Sequence, residues 1–360
     1  MIMEEWIGFL IRRGIKMRRQ CLHMACARFF VLALIFGIFQ AATAMDGKIL
    51  TVKAEGGGGS YTSIQSAIDG AGPGDIIDVY PGDYYEAAPN KFVGGTKGPH
   101  QFGLFFGADQ TGVTLRGVDA EGKPILDPHS LKAHIRTNAT NCFGYSGIFV
   151  DADNITPQGV DISDNEPYNN KTIEIVANGF KMLNCAMTAK VGALYFGEIH
   201  DSADIRIKTY QIEGSWFANG SFISINSGAG MEGAVSGRII RNNDFSGGNG
   251  MSWAAITFNG SGTGVPWFKL SVGGATIEGN KMANMDSFIR TRGTVLEEFE
   301  WDAYLANNKF DRSVAIINPA DGKPRAFDYM SGAYLMPNTR KIGASLENEL
   351  WYIQPGDIIR

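Results

Sequence analysis

The chain has 360 residues, of which 44% are apolar and 19% charged, and its formal net charge is −5. This balance allows a sizeable buried core and excludes a disordered chain. The acidic charge disfavours nucleic acid as a partner, because phosphate contacts need clustered basic residues. Glycine accounts for 46 residues without a collagen-like period, which is typical of a fold with many tight turns.

The first 44 residues have the layout of a secretory signal peptide. Basic residues precede the apolar run 29–39, and Ala42 and Ala44 then form the small-x-small pattern of a cleavage site. The run is short for a transmembrane span, and a membrane anchor is the alternative. We expect a start at Met17, cleavage after Ala44, and a protein that is secreted to the periplasm or the extracellular space, without membrane attachment after cleavage.

Cleavage changes both the charge and the cysteine content. Removing six basic and two acidic residues leaves 26 basic and 35 acidic ones, a net charge of −9. Cys142 and Cys185 remain, too few for a disulfide framework or a closed zinc site. We predict two free thiols, with Cys185 buried; one disulfide is the alternative in an oxidising compartment.

The first predicted elements after the signal are a helix and a strand. Ile64, Ala67 and Ile68 fall at i, i+3 and i+4, which indicates a short amphipathic helix. Pro73-Gly74-Asp75 is a turn, and the apolar run that follows it, 76–80, is a strand.

This segment carries a resemblance to a known family. The sequence YTSIQSAIDGAGPGDIIDVYPGDYYE, residues 61–86, resembles the entry module of the pectate-lyase superfamily. The resemblance implies an all-β, right-handed parallel β-helix whose short N-terminal helix caps the open apolar end of the stacked coils. It implies little about substrate, because many functions share this fold.

The rest of the chain repeats a six-residue pattern: apolar, any, Gly or Asn, then Asn, Ser or Cys, any, and Phe or Met. It occurs at 182–187, 212–217, 240–245, 277–282 and 305–310, with starts 30, 28, 37 and 28 residues apart. Such a period indicates a β-solenoid, and we expect the fourth residue to stack as a ladder of polar side chains between coils.

A second strand follows each repeat. The aligned strands begin at Leu104, Ile148, Leu194, Ile223, Ile256, Ile289 and Val314. Their first and third residues are apolar and predicted to point inward, while the second and fourth point outward. Two steps, of 44 and 46 residues, imply inserted loops or an unmatched coil.

These patterns set the expected domain limits. Residues 45–320 form the β-helix, and residues 321–360 are an irregular C-terminal cap or the start of a truncated continuation. The second reading rests on the sequence Pro-Gly-Asp-Ile-Ile at 355–359, which echoes 73–77.

The outward positions contain the candidate substrate-binding residues Phe105, Phe149, Tyr195, Asn226 and Asn259. Exposed aromatic rings usually mark a contact surface, and their faces suit stacking against sugar rings. The alternative is that long loops fold over the aromatic residues and bury them.

Acidic residues follow two of these strands, and Asp151, Asp153 and Glu198 are candidate metal ligands. Carboxylate oxygens there can bind calcium, or can serve as the acid and base of glycoside hydrolysis. A solvated acidic rim is the alternative.

Arg290 and Arg292 project from one strand on the same face. By resemblance to pectate-lyase-like enzymes, Arg290 is the candidate catalytic base and Arg292 the candidate binder of a uronate carboxylate, with Lys281 a lesser candidate. The resemblance also implies that calcium or another cation neutralises the carboxylate. Two ordinary surface arginines are the alternative.

The sequence therefore favours a secreted, monomeric, carbohydrate-active β-helix whose partner is a polysaccharide, with a lyase acting on uronate-containing polymers as the enzyme class and a glycoside hydrolase less favoured. The other class is a non-catalytic adhesin-like or cell-surface module that binds glycans.

Overall fold

The structure is a computed structural model, and all the residues that it describes belong to one compact unit, Gly47–Arg360. It describes residues 47–55, 61–86, 91–93, 100–137, 145–164, 172–188, 192–197, 206–226, 237–245, 255–259, 268–271, 275–282, 289–292, 294–297, 307–310, 326–328 and 333–335.

The described residues form one α-helix, α1 (Ile64–Gly70), a short 3-10 helix (Ala108–Gln110) and many short strands. In chain order the strands are β1 (Ile49–Val52), β2 (Ile76–Val79), β3 (Gly82–Glu86), β4 (Lys91–Val93), β5 (His100–Phe106), β6 (Thr114–Gly117), β7 (Ala133–Thr137), β8 (Tyr145–Val150), β9 (Thr156–Gln158), β10 (Asp161–Asp164), β11 (Ile173–Ile175), β12 (Phe180–Leu183), β13 (Ala186–Met187), β14 (Ala193–Phe196), β15 (Tyr210–Glu213), β16 (Trp216–Phe217), β17 (Phe222–Asn226), β18 (Arg238–Arg241), β19 (Asp244–Phe245), β20 (Ile256–Asn259), β21 (Phe268–Ser271), β22 (Ala275–Glu278), β23 (Lys281–Met282), β24 (Ile289–Arg292), β25 (Thr294–Glu297), β26 (Lys309–Phe310), β27 (Ala326–Asp328) and β28 (Ala333–Leu335).

Three long sheets contain nearly all of these strands. Sheet A has the order β1-β2-β6-β9-β12-β15-β18-β22, sheet B the order β3-β7-β10-β13-β16-β19-β23-β26, and sheet C the order β4-β5-β8-β11-β14-β17-β20-β24-β27-β28. Strands β21 and β25 form a separate parallel pair. The pairs β4–β5 and β27–β28, at the two ends of sheet C, are antiparallel.

From β6 to β24 the chain visits sheet A, sheet B and sheet C in turn, apart from β21, and each round adds one parallel strand to every sheet. Crossovers between parallel strands are right-handed, so the stacked coils form the predicted right-handed parallel β-helix. Among the described residues, no helix has the length and apolarity needed to cross a bilayer.

The core is the column of apolar side chains inside the coils. In sheet C, Leu104 pairs with Ile148, Leu194 with Ile223, and Ile223 with Ile256, as the sequence alignment predicts. The 46-residue step contains an unmatched coil, because β11 inserts between β8 and β14. The predicted strand at Val314 lies outside the described residues, and the strand that pairs with β24 is β27.

A two-residue turn joins sheet A to sheet B in each repeat. Its first residue adopts the left-handed conformation, with φ of 52° at Asn184, 63° at Gly214, 56° at Asn242 and 65° at Gly279. Only glycine and asparagine enter that region at low cost. The third position of the repeat pattern is therefore set by backbone geometry.

The second residue of each turn forms the predicted ladder. The backbone N–H of Cys185 donates to Ser215 Oγ at 3.1 Å, that of Ser215 to Asn243 Oδ1 at 3.0 Å, that of Asn243 to Asn280 Oδ1 at 3.1 Å, and that of Asn280 to Asn308 Oδ1 at 3.0 Å. These side chains are buried. The ladder therefore supplies hydrogen-bond acceptors for the backbone N–H groups of the turns, which lie outside the sheets.

Helix α1 covers the N-terminal end of the core. Its N-cap is Ser63, whose Oγ accepts from Ser66 N at 3.3 Å. The Gln65 side chain accepts from Phe105 N at 2.8 Å and donates to Phe105 O at 3.3 Å. This side-chain amide therefore pairs with the backbone N–H and C=O of Phe105 in β5, as a neighbouring strand would. The predicted capping helix is confirmed.

Glu86 links this cap to β3 and provides a pH-dependent test. Its carboxylate accepts from Ile64 N at 2.5 Å and from Ser63 Oγ at 3.3 Å, but burial outweighs these bonds and raises its pKa. A raised folded-state pKa means that this group contributes stability below its unfolded pKa of roughly 4.3, and that the contribution is lost as pH rises through the folded pKa.

We expect the free energy of unfolding of the native protein, minus that of Glu86→Gln, to fall as pH rises from about 4 to 8. Urea unfolding of both proteins at several pH values measures this difference. A difference that stays constant or grows with pH contradicts the prediction.

Cys185 is a free, fully buried thiol, as predicted, whereas Cys142 lies outside the described residues. Burial raises the pKa of the Cys185 thiol to about 12. Since the thiolate is the reactive form, we expect no alkylation of Cys185 by iodoacetamide in the folded protein and full alkylation in urea, read by peptide mass spectrometry. Comparable labelling in both states would show that the thiol is accessible.

Candidate functional site

The outer face of sheet C has a continuous row of residues, one per coil, which we call the outer row. Parallel register joins each member to the next, at a spacing of about 4.8 Å. Its members are Phe105, Phe149, Glu174, Tyr195, Ser224, Thr257 and Arg290. The strand alignment predicts this row except for Glu174, which belongs to the missed coil.

Much of the outer row is covered. Phe149 is only 4% exposed, and Glu174, Ser224 and Thr257 are buried, while Phe105 and Tyr195 are half-buried. The Phe149 ring stacks on Phe102 with centroids 4.5 Å apart and on Phe105 at 5.9 Å. The aromatic residues thus form a second apolar cluster on the outside of the sheet, and Phe149 does not offer the open face expected for sugar stacking.

The polar candidates occupy a neighbouring row of the same sheet. Asn226 pairs in register with Asn259, and Asn259 with Arg292, next to the pairs Ser224–Thr257 and Thr257–Arg290. The side chains of Asn226, Asn259, Arg290 and Arg292 lie outside the description, so the structure places these four by backbone register alone.

The two described acidic candidates are held by an arginine. Arg206 Nη2 lies 3.0 Å from Asp151 Oδ1 and 3.6 Å from Asp153 Oδ1, and it donates to Asp151 O at 2.7 Å. Asp153 Oδ1 also accepts from Asn178 N at 2.9 Å. Glu198 lies outside the described residues.

A calcium ion needs six to eight oxygen ligands around one point. The guanidinium of Arg206 already occupies the space between the Asp151 and Asp153 carboxylates, so this pair does not fit the ion as arranged. Among the described residues, no group of three or more histidine, cysteine or acidic side chains could hold a metal. The predicted calcium site gains no support from the geometry of this pair.

Lys281 is separated from the two arginines. It lies in β23 of sheet B, where its Nζ is 3.2 Å from Asp244 Oδ2, whereas Arg290 and Arg292 lie in β24 of sheet C. Strands of different sheets face different sides of the coil. The structure therefore does not bring Lys281, the lesser candidate, together with the two arginines.

The carboxylates and the arginines are also far apart along the helix axis. Asp151 follows β8, and five strand spacings separate β8 from β24 in sheet C, or roughly 24 Å. Groups at that distance can contact one long polymer, but they cannot act on the same bond.

A polar array on the outer face of sheet B was not predicted. His134 Nδ1 lies 2.9 Å from Asp161 Oδ2, and Thr188 Oγ1 donates to Asp161 Oδ1 at 2.7 Å. Arg136 Nη1 donates to Ser163 Oγ and lies 3.4 Å from Asp161 Oδ2. The alternation of residues along β7 places His134 and Arg136 on one face, and the sequence alone indicates this. Their partners Asp161, Ser163 and Thr188 belong to other coils, which the sequence does not indicate.

No family model and no curated protein matches the chain. Solved structures that resemble it include the pectin methylesterase from Aspergillus niger, with 14% identity, a TM-score of 0.34, and coverage of 73% of this chain and 90% of that one.

Two other solved structures are similar in the same limited way. The ybhc protein of Escherichia coli has 11% identity and a TM-score of 0.40, covering 86% of this chain and 83% of that one. The alginate lyase from Paenibacillus sp. has 16% identity and a TM-score of 0.25, covering 70% and 95%. Likenesses at this level carry no argument about activity, and the β-helix of this chain rests on its own sheet topology.

Proposed function

We propose that the protein is a secreted, carbohydrate-active β-helix that binds an extended polysaccharide along the outer face of sheet C. The observation that carries this proposal is the register-aligned polar row Asn226–Asn259–Arg292, which lies beside the row that ends in Arg290. Ser224 and Thr257 of that second row are buried and are not counted as contacts. A polymer lying across the strands meets a new coil about every 4.8 Å, which is close to the length of one sugar unit. Each unit can then meet an equivalent set of hydrogen-bonding positions.

The charge of these rows favours a uronate-containing polymer. Arg290 and Arg292 stand two residues apart on one strand, and the planar guanidinium is suited to bind a carboxylate with two parallel hydrogen bonds. The rest of the chain is acidic, so local arginines are required to bind an anionic polymer.

Lyase activity is the second, finer candidate. The supporting observation is that Arg290 and Arg292 fall on one face of one strand, as an elimination site requires: one group takes the proton beside the uronate carboxylate, and the other binds that carboxylate. The base accepts the proton in its neutral form, and the electron pair of the broken carbon–hydrogen bond forms the new double bond while the glycosidic carbon–oxygen bond breaks. The departing oxygen takes a proton from water. Glycoside hydrolysis is less favoured, because Arg206 holds the two described carboxylates.

The proposal is tested by titrating the purified protein with pectate, alginate and a glycosaminoglycan, with calcium and with a chelator. We expect Arg290→Gln and Arg292→Gln to weaken binding of the preferred polymer about tenfold or more, by loss of charged hydrogen bonds. Lys281→Gln is the matched control, because it removes a cation from sheet B, and it should leave binding unchanged. An equal loss of polymer affinity in all three variants would contradict the assignment of the binding site to sheet C.

The same samples separate an enzyme from a binding module. Ultraviolet absorbance of an unsaturated product reports elimination, and new reducing ends without that absorbance report hydrolysis. Binding without either product identifies the non-catalytic, adhesin-like alternative. Mass spectrometry of secreted material tests export, with Met45 as the expected first residue, and sedimentation tests the expected monomer.

A further inference from the structure

The outer face of sheet B combines aromatic and hydrogen-bonding side chains over several coils. At one end Tyr85 is 73% exposed. At the other end the partly exposed Trp216 packs beside the exposed His129, with ring centroids 4.7 Å apart. Large exposed aromatic side chains on a monomer usually mark a contact surface.

Between these ends lies the polar array of His134, Arg136, Asp161, Ser163 and Thr188. Within the array, Asp161 and Ser163 are the buried members, at 5% and 4% exposure. His134 uses its Nδ1 for Asp161, and no hydrogen bond within the described part of the chain engages its Nε2. A ring nitrogen fixed in this way can serve a ligand hydroxyl as donor or acceptor.

The array is nearly neutral. Arg136 lies 3.4 Å from the Asp161 carboxylate, so its charge is balanced within the array. The next residue along the column from His134 is the exposed Asp83. An anionic ligand would therefore meet the exposed Asp83 carboxylate and a guanidinium that the buried Asp161 already compensates. Sugar hydroxyls, in contrast, can hydrogen-bond with Asp83, His134 and Arg136.

The span of the surface sets the ligand size. Tyr85 and Arg136 are register partners, as are Arg136 and Ser163, Asp161 and Ala186, and Ala186 and Trp216. Four strand spacings thus separate β3 from β16, or about 19 Å. That length suits a chain of about four sugar units, with a partly or fully exposed aromatic side chain at each end.

We propose that this face of sheet B is a second glycan-binding site, which takes a neutral oligosaccharide of about four units lying along the helix axis. It is independent of the polysaccharide site on sheet C, because it uses other side chains and a ligand of different charge.

The test is calorimetric titration of the whole protein with cellotetraose, xylotetraose and mannotetraose, and with a tetramer of galacturonate as the charged comparison. We expect at least one neutral tetramer to bind. Tyr85→Ala and Trp216→Ala should each weaken that binding roughly fivefold to tenfold, since an aromatic contact is worth about that factor. Trp216→Phe should retain most of the affinity.

Two control variants distinguish loss of binding at this site from general destabilisation of the protein and from loss of the sheet C site. Ile49→Ala removes an exposed apolar side chain of sheet A and should leave binding unchanged. Arg290→Gln should also leave it unchanged, even where uronate binding on sheet C is lost. The proposal is overturned if no neutral tetramer binds, if only the galacturonate tetramer binds, or if Tyr85→Ala, whose side chain is too exposed to matter for folding, has no effect.

Discussion

Replacing Asn280 by alanine is expected to lower the free energy of unfolding by about 3 to 5 kcal/mol, because buried polar groups lose their partners. Asn280 Oδ1 accepts from Asn243 N at 3.1 Å and from Asn243 Nδ2 at 3.0 Å, and Asn280 Nδ2 donates to Ile240 O at 2.9 Å. Alanine removes these three hydrogen bonds in a site closed to water, and Asn243 Nδ2 keeps only its bond to Ile212 O at 3.0 Å. Each orphaned buried group costs about 1 to 3 kcal/mol, partly relieved by relaxation.

The measurement is denaturant unfolding followed by circular dichroism. Asn242→Gly is the matched control, since Asn242 is an exposed asparagine in the left-handed turn position that glycine adopts readily. We expect that variant to remain within about 0.5 kcal/mol of the native protein, as surface changes usually do. A loss below about 1 kcal/mol for Asn280→Ala would show that the ladder does not hold the coils together.

Replacing Gly214 by alanine is expected to cost about 2 to 3 kcal/mol, from two sources. The first is backbone strain, because Gly214 has a φ of 63° and a side chain there costs about 1 to 2 kcal/mol. The second is a steric clash, because a Cβ at Gly214 would stand 2.4 Å from Asn184 Oδ1 in the adjacent coil. The side-chain oxygen of one turn thus fills the space over the glycine of the next.

A double-mutant cycle separates the two sources. Asn184→Gly removes the clashing atom and keeps a residue suited to the left-handed conformation, so Gly214→Ala made in that background should cost only the strain of about 1 to 2 kcal/mol. Equal costs in both backgrounds would show that the two turns do not touch. The Asn242 and Gly279 pair has the same arrangement, with 2.3 Å between the added Cβ and Asn242 Oδ1.

These two experiments concern positions that the sequence itself identifies. The repeat pattern marks Gly214 and Asn280 because a left-handed turn accepts few residue types and a buried ladder needs hydrogen-bonding side chains. The alternation of apolar residues likewise predicts which strand residues point inward, and burial confirms it for Ile148, Leu194 and Ile223.

The residues that converge on the outside were not predictable in the same way. Glu174 belongs to a coil with a three-residue strand, too short for the alignment to detect. Arg206 meets Asp151 from 55 residues away, and nothing local to either residue indicates that contact. Such pairings depend on loop lengths and on the register between coils, which are long-range properties.

The sequence by itself determined the β-helix, its cap, its turns and its ladder, because each of these imposes a local requirement that recurs once per coil. Only the tertiary structure decided which outward side chains lie together. It gave Asp151 and Asp153 a shared arginine, buried Phe149 against Phe102, and put Lys281 on a different sheet from Arg290. The physical reason is that outward positions face whatever the neighbouring coils and loops bring to them, and no repeated local constraint fixes that choice.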